Sequence, residues 1–292
     1  MAKSRETVGA SEEREMSFLE HLEELRWHII RSMIAIFVFA IAAFVFRNFI
    51  FTNIIFAPSR IEFFTYQMLC RLSDLTGSDV LCIQELPFII QSRQMTGQFT
   101  MAITVSAVLG LVVSFPYVFW EFWSFISPGL YSKERKLSRG AVFFVSLLFT
   151  MGILFGYYIV SPLSINFLSN FRLDESVANE FDIISYVNTI TMLILACGIL
   201  FQLPIVVLFL TKAGIATPEL MKQYRRHSIV VILVLSAILT PPDPMSQILI
   251  ALPLVLLYQV SIYISKVVIR RQKEQEIKDE LELRQSRSEP DD

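Results

Sequence analysis

Stretches of about twenty uncharged, apolar residues recur along this chain, each bounded by an island of charge. A helix needs about 20 residues to cross the hydrocarbon of a bilayer, and in lipid the backbone must pair its own polar groups. Apolar residues make up 54% of the 292, mean hydropathy is +0.55, and charged residues are 18%. A soluble domain carries roughly 25% charge spread over its surface. A β-barrel would show alternating strands of about ten residues, and the sequence has none. The pattern implies an all-α, polytopic membrane protein.

Six spans follow from the apolar runs. The first covers Trp27 to Phe46, the second Gly97 to Trp120, and the third Gly140 to Val160. The fourth lies between Asp182 and Lys212, interrupted at Gln202-Leu-Pro204. The last apolar block, Ser228 to Ser265, is too long for one helix and is cut by the prolines of Thr240-Pro-Pro-Asp243-Pro244. It gives two short spans at 228–241 and 246–264. The opening MAKSRETVGASEEREM is polar and mixed in charge, unlike a cleavable secretory signal, so the first span is expected to remain as an anchor. With both termini inside, 20 of the 25 Lys and Arg residues fall in inner segments, and only Arg47, Arg60, Arg71, Arg93 and Arg172 lie outside. The positive-inside rule therefore favours N-in, C-in.

Three regions result. Residues 1–26 form an inner segment with an amphipathic helix, 27–265 the membrane domain with an outer cap at 48–96, and 266–292 a charged tail fading from helix into disorder. The amphipathic helix opens at Ser17-Phe-Leu-Glu20, a capping-box pattern. Phe18, Leu22, Leu25 and Ile29 form its apolar stripe for the membrane surface, and Glu20, Glu24 and His28 a neighbouring polar face. The net charge of −2 gives no field suited to nucleic acid. No phosphate-binding loop, zinc-protease motif or nucleophile elbow is present, and neither a cofactor nor a metal is expected.

Four motifs carry a family resemblance. HLEELR at 21–26, WEFWSFISPGLYSKERK at 120–136, FQLP at 201–204 and LTPPDPMSQ at 239–247 stand in the order and spacing of the TatC family, and Pro58 follows the first span as in that family. The chain thus resembles TatC, the receptor and core subunit of the twin-arginine translocase of the bacterial inner membrane. Gln202 departs from the glutamate common there, and the first outer segment is longer than usual.

The resemblance implies export of folded proteins driven by the proton motive force, with twin-arginine signal peptides as ligands. Two adjacent guanidiniums need fixed carboxylates beside an apolar groove, and the resemblance assigns Glu24 and Glu134 to that site. It places Arg26, Phe125, Pro128 and Tyr131 around them. Other readings exist: Glu134 also balances the cations of its loop, and Arg26 also serves as a positive-inside anchor. Gln202 is a polar amide inside a span, and Thr240 and Gln247 end the two short spans at a similar depth. By resemblance this patch docks single-span partners of the TatA and TatB type in an oligomeric assembly. The alternative is an interhelical hydrogen bond. Asp243 is expected to cap the next helix. Cys70 and Cys82 share the outer segment, where an oxidising compartment permits a disulfide. The rival function is a secondary transporter or channel for small solutes, but no internal repeat or midplane charge favours it.

Overall fold

In hydrocarbon a backbone pairs within its own segment, so the apolar runs of this chain fold as helices wherever the sequence permits. The computed structural model describes residues 18–77, 82–126, 138–174, 176, 178–212, 214–239 and 244–288.

The chain begins with α1 (Phe18–Val45), a single helix of 28 residues. The expected surface helix and first span are therefore one element, because no glycine or proline interrupts the sequence between them. Leu22 and Ile29 are exposed and continue into Met33 and Phe37, so the amphipathic stripe is the start of a lipid-facing surface. After α1 come α2 (Arg47–Ile50), a π-helical turn (Phe51–Ile55), a 3-10 turn (Ala57–Ser59), α3 (Phe64–Thr76) and strand β1 (Phe88–Gln91). The chain then re-enters the bundle as α4 (Gly97–Ile126).

The third span is α5 (Ser138–Phe155), a π-helical turn (Gly156–Val160) and α6 (Ser161–Asn170) in one rod. It runs ten residues past the expected end at Val160, which shortens the second outer segment. That segment holds β2 (Asn179–Asp182), paired in parallel with β1 so that Phe88 faces Asn179. Asp182 then caps α7 (Ile183–Leu200) by accepting from the Ile184 amide at 3.2 Å. Pro204 cannot donate a helical hydrogen bond, and the fourth span breaks at Phe201–Gln202 into α7 and α8 (Leu203–Lys212).

Next come α9 (Pro218–Gln223), α10 (Arg225–Leu239) and α11 (Pro244–Ser288). Among the described residues, five stretches are long and apolar enough to cross a bilayer: Leu22–Val45, Gly97–Phe125, Val142–Asn170, Ile183–Thr211 and Gln247–Arg271. The sixth helix of the bundle, α10, has only 15 residues. Only one of the last two spans is short, since α11 runs unbroken past the expected end at 264 and through the charged tail. The tail sequence lacks glycine and favours helix, with Arg270 and Glu274 paired at 2.9 Å one turn apart. The Thr240–Asp243 turn lies outside the described residues.

The core surrounds α7, where Val187, Ile190 and Leu193 are fully buried. Close approach of helices depends on glycine at two crossings. A Cβ on Gly110 of α4 would sit 2.7 Å from the Ile36 carbonyl oxygen of α1, and one on Gly152 of α5 would sit 2.6 Å from the Cys197 carbonyl oxygen of α7. Trp123 stands near a span end, a position that favours the interfacial belt. It is instead buried, its ring 5.1 Å from that of Phe209, while Trp120 is half exposed.

In the cap, Cys70 of α3 is disulfide-bonded to Cys82 ahead of β1. Pro58 is buried, and its carbonyl accepts from the Tyr66 hydroxyl at 3.0 Å, with the Pro162 carbonyl 2.9 Å from the same hydroxyl. Burial pushes the pKa of Tyr66 up from its ordinary value, so the hydroxyl remains a donor. Tyr157 donates to the Ile54 carbonyl at 2.9 Å and Tyr186 to the Ile55 carbonyl at 3.1 Å.

Two predictions follow from this packing. Gly152→Ala forces backbone to move and should cost about 1–3 kcal/mol in thermal or denaturant unfolding. Gly140→Ala, where a Cβ meets nothing within 4 Å, serves as the control and should be neutral or slightly stabilising. Thiol labelling of unreduced, denatured protein should count one reactive cysteine, Cys197. Three would refute the bridge, whose loop of this length contributes about 3 kcal/mol on the chain-entropy model.

Candidate functional site

Polar residues concentrate where the start of α1 lies along the end of α4. On α1, Glu24 and His28 stand four residues apart on one face, and on α4 Tyr117, Glu121 and Phe125 repeat at the same spacing. The helices are antiparallel, so the two rows meet along one seam. His28 Nδ1 lies 2.5 Å from Glu121 Oε2, and the Tyr117 hydroxyl donates to Glu121 Oε1 at 2.6 Å. Glu121 is 3% exposed. A carboxylate at that depth persists only if its oxygens accept hydrogen bonds, and here both do. The His28 ring meets the Phe125 ring edge-on with centroids 6.1 Å apart.

Glu24, one turn from His28 towards the chain start, is half-buried. Its Oε2 is buried, and no donor among the described residues reaches it. An unsatisfied carboxylate oxygen away from water is costly, and such atoms call for a partner. Arg26 points outward and is exposed. Phe125 joins the seam. Pro128, Tyr131 and Glu134 lie outside the described residues.

The second candidate patch sits deeper. Gln202, at the break between α7 and α8, donates Nε2 to the Val145 carbonyl of α5 at 3.3 Å, while its Oε1 is buried with no partner among the described residues. Gln247 of α11 donates instead to the Leu233 carbonyl of α10 at 3.3 Å. The two amides thus bond to different helices, and no hydrogen bond among the described residues joins them. Thr240, the third member of that patch, and Asp243, the expected cap, lie outside the described residues. No cluster of three or more His, Cys, Asp or Glu among the described residues is placed to hold a metal ion.

Sequence reasoning missed Glu121. It ended the second span at Trp120 and gave the next residue no role of its own. The available signal was the four-residue spacing of Tyr117, Glu121 and Phe125, with one carboxylate in an otherwise apolar run. His28 had been placed on the polar face, but not paired.

The chain matches the family model for the Sec-independent protein translocase protein (TatC) over residues 20–253. It is 39% identical over 263 residues to the TatC protein of Blattabacterium sp. subsp. Periplaneta americana, covering 89% of this chain and 99% of that one. Identity to the TatC protein of Aquifex aeolicus is 33% over 260 residues, covering 89% and 98% of the two chains. A crystal structure of the twin arginine translocase receptor TatC is similar with a TM-score of 0.67 at 32% identity, covering 84% of this chain and 99% of that one. Sequence and fold thus agree along nearly the whole membrane bundle, and the chain belongs to the TatC family, multi-pass core subunits of the Sec-independent protein translocase in the bacterial inner membrane.

Proposed function

We propose that this chain is the receptor of its translocase, binding twin-arginine signal peptides at the inner end of the α1–α4 seam. Folded cargo then crosses the inner membrane at the expense of the proton motive force. Both termini face the cytoplasm in this reading, which puts the start of α1, the end of α4 and the loop carrying Glu134 on the side from which cargo arrives. The observation that carries it is Glu24. Its buried oxygen, which no donor among the described residues reaches, suits a guanidinium that supplies two forked hydrogen bonds.

An exposed pair is worth only about 0–1 kcal/mol, so the partial burial of Glu24 matters as much as its charge. Arg26, Phe125, Pro128 and Tyr131 surround the site in this reading, and Glu134 supplies its second carboxylate. The signal's apolar region then packs against the exposed side chains of α1, among them Met33 and Phe37.

Single-span subunits of the TatA and TatB type are the proposed partners, meeting the bundle near Gln202, Thr240 and Gln247. The half-satisfied amide of Gln202 supports a docking role, since no donor among the described residues reaches its oxygen.

Glu24→Gln and Glu134→Gln keep shape and remove charge. Each should weaken twin-arginine peptide binding about tenfold or more, the cost of a lost charged hydrogen bond, and lower cargo export with membrane insertion unchanged. Normal export by both single variants would refute the assignment. Gln202→Leu should leave peptide binding intact while crosslinking to a single-span partner falls. Loss of folded protein would instead make the amide a bond within the bundle.

A further inference from the structure

Glu121 is a second buried carboxylate on the same seam, and the receptor reading above makes no use of it. We propose that Glu121 is a further seat for the signal's arginine pair, occupied by His28 until a signal displaces it; the proposal rests on that receptor reading.

Four observations carry it. The carboxylate is held from two sides, by Tyr117 on Oε1 and by His28 on Oε2. Of these, His28 is the weaker partner for a buried charge. An imidazole offers a single N–H to the carboxylate, whereas a guanidinium is always charged and donates through a planar fork. Exchanging imidazole for arginine therefore improves the pairing of Glu121.

The spacing also fits. Glu24 precedes His28 by one helical turn, so the Glu24 and Glu121 carboxylates stand about 6 Å apart in height along the seam. Two consecutive residues have Cα atoms about 3.8 Å apart, and the long arms of adjacent arginines reach across such a gap.

Access is on the correct side. The His28 side chain retains 14% exposure against 4% for Glu121, so an incoming group meets the imidazole first. The surroundings also tolerate the exchange. Tyr117 stays on Oε1 when His28 leaves, the Arg31 guanidinium lies within electrostatic reach of Glu121, and the Phe125 ring already contacts the imidazole from the side of the chain end of α4. Among the described residues, the charged and titratable groups along the seam at His28 are Glu24 and Arg31 on its own helix and Glu121 and Tyr117 on α4.

The rival role is a plain clamp holding α1 to α4. Both roles predict that loss of the pair lowers stability, so selectivity is the deciding measurement. Full-length protein in lipid nanodiscs is titrated with two fluorescent signal peptides, one with Arg-Arg and one with Lys-Lys at the paired positions. The ratio of the two dissociation constants within one variant does not depend on the folded fraction. Glu121→Gln keeps shape and an acceptor for Tyr117, and should shrink the preference for Arg-Arg about tenfold, as expected for one lost charged hydrogen bond. An unchanged ratio overturns the proposal and leaves Glu121 a helix clamp. His28→Ala opens the seat and should tighten Arg-Arg binding relative to the parent. Weaker binding by folded His28→Ala protein, judged by its thermal midpoint, overturns the displacement. Equal affinity of the parent protein for both peptides overturns the receptor reading itself, and the seat at Glu121 with it.

Discussion

A carbonyl freed from a helix and buried away from water must find another donor, and the end of this bundle around Pro58 is organised by that constraint. The chain leaves regular α-helix between Phe51 and Ser59, in a π-helical turn followed by a 3-10 turn at Pro58. The Ile54, Ile55 and Pro58 carbonyls there accept from Tyr157, Tyr186 and Tyr66, which come from the third span, α7 and α3. One irregular segment thus collects three separate elements. The same tyrosine rings pack against Phe63 and Phe56, and Tyr157 also against Tyr158, so each side chain supplies apolar contact and a donor together. The π-helical turn at Gly156–Val160 is handled locally, with the Ser161 hydroxyl donating to the Gly156 carbonyl at 2.8 Å.

Packing density is uneven as a result. Glycine contacts draw α5 onto α7, and α7 loses nearly all its exposure along Val187, Ile190 and Leu193. The first helix is different: it touches the bundle mainly through α4 and turns a broad row of apolar side chains outward. At its start this two-helix contact is polar, with His28 between α1 and Glu121. A seam made by only two helices can adjust at lower cost than one buried among several, because fewer neighbours must move. Glu24 and Glu121 therefore stand on helices, yet at the border of the bundle where the fewest described neighbours hold them.

The sequence made the helical class and the spans legible because each apolar run is long and its boundaries are charged. Pro204 marked the break in the fourth span for a reason that local chemistry fixes, namely its missing N–H. What was not legible depended on neighbours. Trp123 reads as an interfacial ring from its position near a span end, but Phe119 and Phe209 cover it. The π-helical turns follow no periodicity: at one the freed carbonyls are met by tertiary tyrosine hydroxyls, at the other by the local Ser161 hydroxyl. The continuity of α1 was a matter of boundary: a charged amphipathic stretch and an apolar span share one helical period, and only an absent breaker tells that they join. At the candidate site, Glu24 was visible through its motif. Glu121 was not, because its significance comes from a histidine 93 residues away.

The bundle also presents two different heights to the bilayer. At about 1.5 Å per residue, the 15 residues of α10 reach only about 22 Å, against hydrocarbon about 30 Å thick. The neighbouring span of α11, at 25 residues, exceeds that thickness. A short helix is accommodated by local thinning of the bilayer, by flanking residues reaching the interface, or by a protein neighbour covering its ends, each at a fraction of a kcal/mol per ångström. Its outward row of Val230, Val231, Val234 and Ile238 is apolar and exposed, so α10 must meet lipid or a partner helix. Flanking residues reach the interface at one end, where Arg225 and Arg226 open the helix, but Leu239 closes the other. Thinning or a covering helix then accommodates the rest of the mismatch, and the contact with α11 falls near the middle of α10, where Gln247 donates to the Leu233 carbonyl.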